Sequence, residues 1–233
     1  MWGDLPVVQL LDTRRALQKF EISPRAYADV VLSDEELIDR VQAGDHSAFA
    51  DLVVRYHTRL VRLAQSFVAR RDLAEDIAQE TWIAVVRGVE RFERRSSLRT
   101  WLFTICVNQA RSTRKRESRA VPVDASLPTV DPDRFGRDGA WTVPPTPWTD
   151  LVDDRLQAAA LAPMAQRAIE NLPDPQRQVV TLRDAEGLSS REVCDVLSIS
   201  EANQRVLLHR GRARVRSYLE REMKGGDRAT AES

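Results

Sequence analysis

Residues 187–216 read GLSSREVCDVLSISEANQRVLLHRGRARVR, and the spacing of apolar residues along them decides the fold class. Ser189 with Glu192 three residues on has the form of a capping box. It predicts a short helix that turns Val193, Val196 and Leu197 toward a core. Ser198-Ile199-Ser200 then reads as a tight turn with one apolar plug, Ser200 being a natural N-cap for the next helix. At 100° per residue, Leu207, Leu208, Gly211, Val215, Tyr218 and Leu219 share one inward arc. Arg205, Val206, His209, Arg210 and Arg216 point the other way. Helix, three-residue turn and capped helix make a helix-turn-helix.

The outward face combines arginines, a histidine and one small apolar residue. Arginine can grip phosphate or read a guanine edge with two hydrogen bonds, and an apolar side chain can meet a thymine methyl. A merely solvated basic helix would carry the charge, but it would need neither the turn nor the cap nor the facing. His209 alone would carry little weight.

Upstream, the chain is helical with short connections. Ser33 and Glu36 form a second capping box, opening a helix with Leu37, Ile38 and Val41 that ends at Gly44. Phe49, Leu52, Val53, Tyr56, Leu60, Leu63 and Phe67 follow in steps of three and four. A third helix is expected from about Asp72 to Val89, and a fourth from Ser97 with Leu98, Trp101, Leu102, Ile105 and Cys106 on one side. Four such helices make a small all-α bundle.

The third helix begins DLAEDIAQETW (72–82), with four carboxylates and no base. Asp72, Glu75, Asp76, Gln79 and Glu80 share an arc of about 140°. Leu73, Ile77 and Ala84 are expected to form the buried stripe beside it, with Trp82 on the far edge of the acidic arc. Three readings compete here: a solvated acidic face, a carboxylate site for magnesium, and a docking surface for a basic protein with Trp82 as its aromatic anchor. Acids on one convex helix face do not converge as a metal site requires, and such a face repels DNA.

The segment that follows, RFERRSSLRTWLFTICVNQARSTRKR (91–116), is different in kind. It sets Phe92 in a short loop with Arg94, Arg95 and Arg99 around it, then Asn108, Arg111, Arg114 and Arg116 along a helix. Bases, an aromatic and an amide together suit single-stranded or opened DNA. Trp101 reads as core.

Net charge names no partner, since 35 basic residues balance 35 acidic ones among 233. Distribution does. Residues 87–119 hold ten bases against three glutamates, and 205–224 hold seven against two. Between them, 120–154 hold seven aspartates against two arginines, and 120–149 hold six of the eleven prolines without periodicity. Two basic blocks around an acidic, Pro-rich linker fit two contacts on one polyanion. The two cysteines lie far apart, with no metal-ligand spacing, so no disulfide, metal or cofactor is expected. No apolar run approaches the roughly 20 residues of a membrane span. No signal peptide is apparent, so a cytoplasmic protein is expected, and a monomer when free of its partners.

These pieces together resemble a known family. ELIDRVQAGDHSAFADLVVRY, DLAEDIAQETW, RFERRSSLRTWLFTICVNQAR and LPDPQRQVVTLRDAEGLSSREVCDVLSISEANQRVLLHRGRARVR are similar, in order, to regions 2 and 4 of bacterial RNA polymerase sigma factors of the extracytoplasmic-function (ECF) group. The resemblance covers roughly residues 33–117 and 164–222. It implies two small helical domains: region 2 over 33–118 and region 4 over 150–224, flanked by an extension (1–32), a linker (119–149) and a tail (225–233). It implies a non-catalytic factor that binds core RNA polymerase at the β′ clamp helices and the β flap and directs initiation at particular promoters. By resemblance, Asp76, Gln79, Glu80 and Trp82 contact polymerase. Phe92 and Asn108, with Arg94, Arg95 and Arg99 on phosphates, take the melted −10 element. Arg205, His209 and Arg210 read the −35 duplex, with Arg183 on its backbone. An anti-sigma factor is a further partner the family implies.

A linker of 30 residues spans about 30 Å on average and reaches toward 100 Å, enough for two promoter elements roughly 50 Å apart. The sequence departs from the family at Gln204, where an apolar residue is usual, and at Val206 and Leu207, in place of serine and a base. The rival readings are a stand-alone helix-turn-helix regulator, a magnesium-dependent nuclease and a pure interaction module.

Overall fold

The computed structural model describes residues 32–120 and 155–231, with side chains over 32–117 and 162–222. The expected extension (but for Leu32) and nearly all of the linker lie outside the described residues. Among the described residues there are eight α-helices and no strand. They are α1 (Asp34–Gln42), α2 (His46–Gln65), α3 (Arg71–Gly88), α4 (Leu98–Ala120), α5 (Arg155–Glu170), α6 (Asp174–Val180), α7 (Ser190–Leu197) and α8 (Glu201–Ala231). Contacts along the chain group it into two compact units. Of the described residues, one holds those up to Arg114 with Arg191–Ser198, and the other those from Lys115 to Ser190 and from Ile199 onward.

In the first unit the capping box forms as the sequence predicts. Glu36 N donates to Ser33 Oγ at 3.2 Å, and Ser33 N donates to Glu36 Oε2 at 2.8 Å. Three acids in the first turn favour the helix's positive end. Asp34 also fastens α1 to α2: Arg55 Nη1 donates to its Oδ1 at 2.9 Å and the Tyr56 hydroxyl to its Oδ2. Burial, with Asp34 beside it, pushes the Tyr56 hydroxyl well above the usual phenol range. Gly44, at φ 88°, turns the chain where a Cβ would be strained. Asp45 then caps α2, accepting from Ser47 N at 2.9 Å and Ala48 N at 3.2 Å.

The core of this unit is the stripe that steps of three and four announce: Leu37, Ile38 and Val41 from α1; Phe49, Leu52, Tyr56, Leu60 and Leu63 from α2; Leu102, Phe103, Cys106 and Val107 from α4, all buried. On α3 the buried stripe is not the expected one. Ala74, Ile77, Ala78, Thr81, Trp82 and Val85 are buried, whereas Leu73 and Ala84 are only half-buried. The helix is rolled so that its tryptophan faces inward.

In the second unit Ala168, Leu172, Val180, Val215 and Leu219 form a core, with Met164, Ile169, Leu208 and Tyr218 packed on it. Arg177 locks the end of α5 to the start of α6, donating to Leu172 O at 3.1 Å, Glu170 O at 3.2 Å and Asp174 Oδ1 at 2.6 Å. Gly211 lets α8 approach α6 closely: a Cβ there would sit 2.5 Å from Val180 Cγ2. Past α6 the chain winds one wide π turn, Thr181–Ala185. Asp184 in it takes two bonds from Arg212, at 3.0 and 2.6 Å. The α8 helix continues to Ala231, through most of the residues expected as a tail.

Candidate polymerase and nucleic-acid interfaces

The acidic face lies on α3. Asp72 and Asp76 are exposed, and Glu75, Gln79 and Glu80 are half-buried. Arg70 beside Asp72 holds its carboxyl below the ordinary carboxylate range. Glu75 stands 3.3 Å from His57 Nε2 and 3.7 Å from Arg71 Nε. Trp82 is not on this face. It is wholly buried, edge-on to Phe49 with ring centroids 5.8 Å apart, and its Nε1 donates to His57 Nδ1 at 3.3 Å. The expectation of an exposed aromatic anchor is therefore corrected: a side chain with no exposed surface touches no partner.

Behind α3 a short 3-10 turn, Val89–Arg91, leads into the loop before α4. Phe92 at its end is buried, its ring 4.7 Å from that of half-exposed Trp101 and tilted by 31°. This too is a correction, since Phe92 offers no open stacking platform. Arg94, at a left-handed φ of 57°, forms an ion pair with Asp39 and donates to Gln42 Oε1 at 3.1 Å. Its guanidinium is thus engaged within the protein. Arg95 is highly exposed beside Glu93 at 2.5 Å, Arg99 is half-buried, and Asn108 is exposed. Trp101, Thr104 and Asn108 follow at helical spacing, so one face of α4 runs from a partly exposed ring to an open amide.

The third surface belongs to α8. The turn after α7 has Ser198 at φ 52°, and Ser200 Oγ accepts from Asn203 N at 3.2 Å, capping α8 as its sequence predicts. Arg205 is exposed, reaching Glu201 at 3.1 Å, while His209 and Arg210 are half-buried. Burial, with the Arg210 charge beside it, lowers the His209 pKa from its ordinary value. Both causes favour the neutral imidazole, which has one donor and one acceptor nitrogen. Arg183 is held by the loop before α7: its Nη1 donates to Leu188 O at 2.5 Å, and its Nε is buried.

Two stretches of the chain match family models: residues 52–120 match Sigma-70 region 2, and 164–215 match Sigma-70, region 4. The ECF RNA polymerase sigma-E factor of Salmonella typhimurium is 30% identical over 181 residues, which are 78% of this chain and 91% of that protein. The chain belongs to the ECF group of the sigma-70 family. It is a sigma factor, and its function is promoter-specific initiation of transcription, in a family of non-catalytic initiation factors. The sigma-E factor of Haemophilus influenzae is 29% identical over 189 residues, 81% of this chain and 96% of its own. Two solved structures share the fold. The sigma factor RpoE of Bartonella quintana, co-crystallised with the anti-sigma factor NepR, aligns with a TM-score of 0.52 at 23% identity, covering 74% of this chain and 96% of that one. CnrH in complex with the cytosolic domain of CnrY aligns at 0.51 with 22% identity, covering 80% and 97%.

In this sigma factor Asp76, Gln79 and Glu80 fall together on α3, and Arg205, His209 and Arg210 together on α8. Two residues escaped the sequence reading. Trp101 keeps part of its ring exposed, a place signalled by its seven-residue step to Asn108. Gln42 gave no local signal, because its partners lie 47 to 52 residues away. Among the described residues no three acids, cysteines or histidines are grouped as a metal would need, and no helix is long and apolar enough to cross a membrane.

Proposed function

We propose that the sigma factor docks on core RNA polymerase through Asp76, Gln79 and Glu80, with its two domains taking separate promoter elements. Arg205, His209 and Arg210 read the −35 duplex: the arginines serve guanine edges or phosphates, and His209 lies on the same face between them. Asn108, Arg95 and Arg99, with the Trp101 edge, take the opened −10 strand. Arg94 and Phe92 shape that surface from within, as Trp82 supports the docking face from behind. Arg183 enters as the brace of the turn before α7. The observation that carries this reading is the separation of charge: an acidic face that repels DNA on α3, and arginine-bearing faces on α4 and α8.

An anti-sigma factor is a further proposed partner, supported by the two solved relatives, one co-crystallised with the anti-sigma factor NepR and the other in complex with the cytosolic domain of CnrY. The protein would act in the cytoplasm, where polymerase is.

The test is transcription of pooled genomic fragments by core polymerase with and without this protein, mapping transcript 5′ ends. New starts sharing −35 and −10 sequences are expected. Arg210→Ala should remove promoter selectivity and leave polymerase binding, while Glu80→Arg should remove polymerase binding. No new starts beside an active control sigma factor would sink the proposal.

A further inference from the structure

The loop that carries Arg95 is held by a residue far away in sequence. Gln42, the last residue of α1, uses both donors and the acceptor oxygen of its side-chain amide on it. Its Nε2 donates to Val89 O at 2.9 Å and to Phe92 O at 3.1 Å, and its Oε1 accepts from Arg94 Nη2 at 3.1 Å. The first is a second bond to a carbonyl that already accepts from Phe92 N at 3.1 Å within the 3-10 turn, and the second gives a partner to the carbonyl at the turn's end. The third, with Asp39, holds the guanidinium of a residue whose backbone is in the left-handed region. Such a conformation in an arginine persists only where its surroundings over-determine it.

We propose that Gln42 is a positioning residue for capture of the opened DNA strand, an inference that rests on the function proposed above. Its chemistry is specific. Glutamine alone among side chains of this length donates twice and accepts at once without charge. With the backbone of 89–94 turned toward α1 and Phe92 laid on Trp101, Arg95 is left exposed three residues before α4 begins, the helix that carries Asn108. A loop already in place does not have to be ordered by the strand it meets, and binding is tighter by that much.

Two variants separate the bonds. Gln42→Glu keeps an acceptor for Arg94 and loses both donors to the carbonyls; Gln42→Met keeps the length and loses all three. Hydrogen–deuterium exchange of the full chain is measured together with holoenzyme binding to a non-template oligonucleotide spanning the −10 element of a start mapped as above. Both variants are expected to exchange about tenfold faster over residues 89–97 and to bind the oligonucleotide about tenfold more weakly, the scale of two lost hydrogen bonds. Exchange over α2 and affinity for core polymerase should stay within about twofold of the parent. Unchanged exchange over 89–97 would overturn the inference, as would faster exchange with undiminished strand binding. Faster exchange throughout the first unit, with polymerase affinity falling in step, would also overturn it, by making Gln42 an ordinary stabilising residue. If no start can be mapped, the function proposed above fails, and the exchange experiment alone decides whether Gln42 sets the loop.

Discussion

Trp82 and His57 are joined by one hydrogen bond, indole Nε1 to imidazole Nδ1 at 3.3 Å. Because Nδ1 accepts, the proton of neutral His57 sits on Nε2, which stands 3.3 Å from Glu75. A buried ring thereby reaches the acidic face through one intermediary. Trp82→Ala should cost about 3–5 kcal/mol in urea unfolding, as a large aromatic lost from a core does. Trp82→Phe should cost far less, and polymerase affinity should fall only as far as the folded fraction falls. A tryptophan that anchored the partner directly would show the reverse, a stable Phe variant with weakened polymerase binding.

Gln204 is fully buried near the start of α8, and neither polar atom of its amide has a partner in the protein. Leaving an amide so placed costs about 1–3 kcal/mol. Gln204→Val should therefore raise the stability of the second unit by an amount of that order, read as a higher unfolding midpoint, with −35 binding unchanged. A destabilised valine variant would mean that the amide has a function in the fold.

The close approach at Gly211 gives a third outcome. A methyl there meets Val180, whose branched side chain has little freedom to move aside. Gly211→Ala should destabilise by about 1–3 kcal/mol. In a Val180→Ala background the same change should cost at least about 1 kcal/mol less, and a double-mutant cycle without that coupling would contradict the packing described.

Acid should weaken the first unit in a defined direction. Glu36, Asp45 and Asp72 are all held below their ordinary range, by Ser33, by Ser47 with Arg40, and by Arg70 respectively. Their contribution is complete above the unfolded carboxylate pKa of about 4 and is lost as pH falls through the lower folded values. Glu36 and Asp72 are exposed and Asp45 is half-buried at the surface, so the effect is modest and weakened by salt. Asp45→Asn keeps a capping oxygen and cannot titrate. Its stability should change less than the parent's between about pH 6 and pH 3, and an equal change would rule out Asp45 as a contributor.

Local signals were legible. The Ser33–Glu36 box, the steps of three and four through α2, and the cap at Ser200 depend on neighbours within one helical turn, and each appears where its residues stand. What escaped depends on how helices roll against one another. Trp82 sits near the boundary between the acidic arc and the apolar stripe, and its burial is decided by Phe49 and His57 on another helix. Phe92 looked like an open loop aromatic because nothing nearby in sequence marks Trp101 as its partner. Arg94 and Arg183 read as free cations, since charge alone does not tell a side chain that grips DNA from one that holds a carboxylate or a carbonyl. The π turn after α6 carries no compositional signal at all.

The bonds of Gln42 close chain separations of 47 and 50 residues. The backbone bonds of α3 are local, whereas the loop beyond it waits for α1 to dock across a closure some fifty residues long. On the ribosome, α1 emerges first and its loop partners follow only after α2 and α3 have been made. The helix proposed to meet polymerase can thus form before the loop proposed to meet DNA is set.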